Sequence, residues 1–70
     1  MEISLAYRGR VVVFHHNAAT GVSRAGGEDR QKFPPIQHER GLSKEAVSAR
    51  LVRILAVFAM DEEGKEDAQN

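Results

Sequence analysis

The stretch Ile54-Leu-Ala-Val-Phe-Ala-Met60 is seven apolar residues in a row, set inside a segment of helical spacing. Val47, Leu51, Ile54, Leu55 and Phe58 fall at i, i+4, i+7, i+8 and i+11, which aligns them as one stripe of an α-helix. The seven-residue run, by contrast, covers the whole circumference, and a helix apolar all round has to be buried all round. One small sheet can cover the stripe but not the opposite side. Val57, Met60, Ala56 and the flanking Ile54 therefore call for a second surface, which is read here as a partner-binding face. The helix starts cleanly. Ser43 is placed to act as N-cap, its hydroxyl accepting from a free first-turn amide. Leu42 and Val47 have the spacing of a hydrophobic staple. The pattern predicts a helix over about residues 44–61, followed by a disordered acidic tail over 63–70.

Upstream, Ile3, Leu5 and Tyr7 alternate with Glu2, Ser4 and Ala6, the period-2 signature of a half-buried strand. Val11 to Phe14 is a β-branched and aromatic run suited to a pleated surface. A two-residue turn at Arg8-Gly9 pairs Tyr7 with Arg10, Leu5 with Val12 and Ile3 with Phe14, and gathers Ile3, Leu5, Val12 and Phe14 on one face. Gly9 supplies a positive φ, whereas Arg8 is a poor first turn residue. One longer strand bent at Gly9 is the alternative.

Residues 16–41 hold Gly21, Gly26, Gly27, Gly41 and the pair Pro34-Pro35, with Val22, Phe33 and Ile36 as the large apolar residues. They read as a long connection with a short third strand near Thr20–Arg24 and one helical turn over Glu28–Lys32. Phe33 and Ile36 are expected to pin it to the core, and residues 23–30 to be its mobile part. The fold class is thus α+β: an N-terminal hairpin, a long Gly/Pro-containing loop and one C-terminal helix packed on the sheet. Residues 1–62 make a single domain.

Composition limits the ways such a chain is held together. A domain of 70 residues buries only about 60% of the surface its unfolded chain exposes. Small folds are usually supported by disulfides, metals or association, and with no cysteine the first is excluded. Association, with itself or with another protein, is the reading that remains. Charged residues are 29% and the formal net charge is zero, yet the charge is segregated. Residues 1–53 hold nine basic against five acidic side chains, leaving +4; residues 54–70 hold Lys65 against Asp61, Glu62, Glu63, Glu66 and Asp67, leaving −4. No apolar run reaches the about 18–20 residues of a membrane span. Met1-Glu2-Ile3-Ser4 lacks the basic start of a signal peptide. A soluble, cytoplasmic domain is expected.

Candidate chemistry is sparse. Arg8 and Arg10 beside Tyr7, and Arg50 and Arg53 three apart on the helix, have the character of phosphate contacts or of contacts to an acidic partner. His15, His16 and His38, with Asp29 and Glu39, form the one metal-like set, but adjacent strand histidines point to opposite faces, and no recognised ligand spacing appears. No metal and no cofactor is expected. The glycines of Gly21-Val-Ser-Arg-Ala-Gly26 are not a phosphate loop, and the serines at 4, 23, 43 and 48 lack an evident base and orienting acid. The sequence therefore points to a non-enzymatic interaction protein, a homodimer or a binder of a larger protein that it modulates or inhibits, of the kind used by phages, plasmids and bacterial regulatory systems. A homodimeric nucleic-acid-binding regulator using the arginine-rich turn and helix face is the alternative.

Overall fold

Arg8 and Gly9 both take positive φ, 49° and 81°, the backbone signature of the two-residue turn whose twist matches that of paired strands. The computed structural model, which describes residues 1–69 and side chains as far as Met60, therefore opens with a tight hairpin rather than a bent single strand. Strand β1 (Glu2–Tyr7) pairs antiparallel with β2 (Arg10–Asn17). The register is Tyr7 opposite Arg10, Leu5 opposite Val12 and Ile3 opposite Phe14, as the turn position dictates.

The connection is more ordered than its composition suggests. Strand β3 (Val22–Ala25) pairs with β2, and the two-residue strand β4 (Ile36–Gln37), which periodicity cannot show, pairs with β3. The four strands lie in the order β1-β2-β3-β4, an antiparallel meander. Residues 23–30, expected to be mobile, are instead tied down. Three of them belong to β3, and Gly27–Arg30 form a 3-10 turn that Arg10 of β2 holds through Asp29. The distal end is sewn to the β2–β3 turn by His38 N–H donating to the Gly21 carbonyl at 2.8 Å and Gly41 N–H to that of Ala18 at 3.0 Å. Gly21 has φ +80°, and a Cβ there would stand 2.3 Å from the His38 carbonyl oxygen. Only glycine allows the two segments to approach so closely.

Helix α1 (Lys44–Gln69) begins as the cap predicts: the Ala46 amide donates to Ser43 Oγ at 3.2 Å. Its backbone continues past the expected end near residue 61. Glu, Lys, Ala and Gln, which dominate residues 62–69, are strong helix formers, and this outweighs the unfavourable acids at the helix C-terminus. The expected acidic tail of 63–70 concerns side chains that lie outside the described residues.

One face of the sheet and one stripe of α1 make the core. Ile3, Tyr7, Val12, Phe14, Ala25, Phe33, Val47, Leu51 and Leu55 are buried, with Leu5, Ile36, Leu42 and Phe58 packed against them. Phe33 is the anchor expected of it. It is 1% exposed, and its ring meets those of Tyr7 at 5.5 Å and Phe58 at 5.0 Å edge-on and that of Phe14 at 6.1 Å. Truncating such a phenylalanine costs about 3–5 kcal/mol, comparable with the whole stability of a small domain. Phe33→Ala is accordingly expected to leave the chain largely unfolded at 25 °C, as far-UV circular dichroism and a urea titration would reveal; a cooperative transition near that of the wild type would contradict this role.

Candidate interaction surface

The Ser43 cap sets the phase of α1, and the phase decides what faces outward. With Val47, Leu51 and Leu55 turned onto the sheet, Val52, Ala56, Val57 and Met60 face solvent. Val52 is 52% exposed, Val57 57% and Met60 70%. Of the four positions read from the apolar run, Ala56, Val57 and Met60 are exposed. Ile54 is half-buried at the flank, and Phe58 leans onto Phe33. Val52 belongs to the same outer face, one turn before Ala56 and two before Met60. It precedes the unbroken apolar run, so only helical spacing reveals it. The outer face of the sheet is apolar near the hairpin as well, with Val11 exposed and Val13 half-buried.

The arginine candidates do not form one patch of equivalent groups. Arg10 is engaged by Asp29 through two parallel bonds, Nη2 to Oδ1 at 2.6 Å and Nη1 to Oδ2 at 2.9 Å, with the guanidinium 5.8 Å from the Tyr7 ring centre. The hydrogen bond from Arg10 holds the Asp29 carboxyl below its usual range. That bidentate geometry is the strong form of the contact, and it commits Arg10 to the fold rather than to a phosphate. Arg8 occupies the turn, and Arg50 and Arg53 lie exposed on α1. Sequence reasoning missed the Arg10–Asp29 pair because 19 residues separate the partners and no local spacing links them.

The histidines separate as strand geometry requires. His15 points outward, 3.9 Å from a Glu2 carboxylate oxygen; His16 points inward and is buried. The folded-back connection then brings in His38, whose ring centre lies 5.6 Å from that of His16. Ser23, directly opposite His16 in the register, hydrogen-bonds to its Nδ1 at 2.7 Å. Ser23 thus does have a basic partner, contrary to expectation. It is 0% exposed, which keeps substrate from its hydroxyl. Nε2 of both histidines is buried and meets no hydrogen-bond partner among the described residues. Glu39 is exposed and Asp29 is taken by Arg10. Among the described residues no group of three or more His, Cys, Asp or Glu comes together as a ligand set would.

An open groove runs over the β2–β3 turn, lined by Met1, His15, Asn17, Thr20 and Arg24 among others. Among the described residues no helix is long and apolar enough to cross a membrane. No protein-family model, curated protein or solved structure gives a significant match to this chain.

Burial, and after it the neighbouring His16 of β2 and Arg50 of α1, push the His38 pKa below its ordinary 6.5. For a base, a depressed folded-state pKa means that the unfolded chain binds more protons, so stability is lost as pH falls. Asp29, held below 3.8, acts in the same direction at lower pH. The thermal midpoint is expected to hold above about pH 6.5, to fall as the pH drops below that through His38, and to fall further below about pH 4 through Asp29. Melting curves of the wild type and of His38→Gln check this. The substitution should flatten the upper step alone, and an equal slope in both proteins would assign it elsewhere.

Proposed function

We propose that this chain is a non-enzymatic, cytoplasmic protein-interaction module, and that the outer face of α1 is the surface through which it meets another protein chain. Its target on this reading is a larger protein that it modulates or inhibits. The observation that carries the reading is the exposure of Val52, Val57 and Met60 on a helix whose opposite stripe is already filled by the sheet. Single exposed apolar residues are ordinary, but several along one helix face are the hallmark of a docking surface. Burial of Ser23, the one serine found on a histidine, supports a role without nucleophilic catalysis. Engagement of Arg10 by Asp29 weighs against nucleic-acid binding through the hairpin turn, since it removes one of the two guanidiniums on which that reading depends.

The reading is tested by capture from a lysate of the cells that make the protein, with tagged wild-type chain, Val57→Glu and Met60→Glu, each with and without nuclease. A charge placed at the centre of a desolvated contact typically costs several kcal/mol in binding. A stoichiometric protein that survives nuclease and is lost with both variants, their circular dichroism unchanged, is the expected outcome. Retention by both variants would make this face ordinary surface, and recovery of nucleic acid alone would favour the arginines.

A further inference from the structure

We propose that residues 34–41 form a latch released by acid: when His38 takes up a proton, the segment lifts from the β2–β3 turn while the hairpin, Phe33 and α1 stay packed.

The grip of this segment depends on one titratable side chain. Between Phe33 and Val47, His38 alone is fully buried; Ile36 and Leu42 reach the core only in part. The backbone ties are short. Strand β4 is two residues long and pairs with β3. His38 N–H and Gly41 N–H donate to the carbonyls of Gly21 and Ala18, and Gln37 Nε2 donates to that of Thr20 at 2.8 Å. All of these contacts end on β3 or on the turn before it, so the segment comes away as a unit. Its two ends are fixed independently, by Phe33 in the core and by Ser43 at the cap of α1.

The site that receives the His38 ring suits it only when neutral. A protonated imidazole carries N–H on both nitrogens, and Nε2 of His38 is buried with no acceptor among the described residues. The surrounding groups do not compensate. His16 of β2 stands with its ring centre 5.6 Å away, and its Nδ1 is already engaged by Ser23 of β3. Arg50 of α1 adds a positive charge near the ring. Glu39 and Arg40, next on the segment itself, are exposed, and no carboxylate is among the groups that act on His38. A buried charge with neither counter-charge nor acceptor is costly. The element around it that can yield without opening the core is the segment that carries it.

Below about pH 6.5, where an exposed histidine titrates, the ratio of open to closed segment therefore rises by up to about tenfold per pH unit. Release bares the edge of β3 that β4 covers, leaving its backbone groups open to pairing with an extended chain.

Amide hydrogen exchange, followed residue by residue in low urea at about pH 7.5 and about pH 5.5, tests the latch. Each rate is compared with the intrinsic rate at that pH. The amides of His38 and Gly41 are expected to exchange through a local opening that urea hardly affects, whereas those of Gly26 and Leu55 exchange only through urea-sensitive unfolding of the whole domain. Protection at His38 and Gly41 should fall several-fold between the two pH values in the wild type, and stay level in His38→Phe. Exchange of His38 and Gly41 with the same protection and urea dependence as Gly26 and Leu55 overturns the proposal, since the segment then opens only with the core. Protection that ignores pH in the wild type, or that falls equally in His38→Phe, overturns it as well. The urea comparison needs no variant, so it decides the matter even if His38→Phe fails to fold.

Discussion

Phe33 is the side chain on which the remaining order depends. It comes from a connection with few large apolar residues, yet its ring stands among those of Tyr7, Phe14 and Phe58 and so touches both strands of the hairpin and the helix. A two-stranded hairpin is not stable alone, and an isolated helix gains most of its stability from packing. One aromatic residue carried in by the connection closes both deficits. Its placement also explains the rest of the connection. Once Phe33 is inserted, the segments on either side are short enough to be tied back, through Asp29 to Arg10 on one side and through His38 to Gly21 on the other.

The same packing divides α1 into two unlike halves around its circumference. The sheet and Phe33 account for Val47, Leu51, Leu55 and Phe58. They leave Val52, Ala56, Val57 and Met60 to solvent, although these differ little in hydrophobicity from the residues inside. A chain of this size has too little sheet to wrap such a helix. The apolar outer face is thus a property of the whole molecule and not an accident of one residue, and any function assigned to it has to account for what covers that face.

How much of this could be read from the sequence depended on the range of the interactions involved. The hairpin register was legible because strict alternation and a single glycine leave little freedom in pairing, even though Arg8 is an unusual residue for its left-handed position. The start and phase of α1 were legible because a cap and a stripe are local patterns. Its end was not, since the dipole effect of the acids and their intrinsic helix propensity act in opposite directions. Strand β4, the Arg10–Asp29 pair and the His16–Ser23–His38 cluster were hidden for another reason. Each joins residues far apart in the chain, and two residues of strand carry no period at all. For the surface, Val57, Met60 and Ala56 followed from the unbroken apolar run. Ile54 was drawn half inward by the core, and Val52 was overlooked because Arg53 separates it from the run.

The meander has a consequence for how the molecule comes into being. Each strand pairs with the one made just before it, so every pairing in the sheet joins neighbours in the sequence. Its inner face is another matter. Ile3, Val12 and Phe14 have no cover until Phe33 and then α1 have been made, and the helix is the last element of the fold. Because a hairpin gains its stability from what packs on it, the strands are held as a sheet only once the helix has been made, and until then these apolar residues are open to whatever lies nearby.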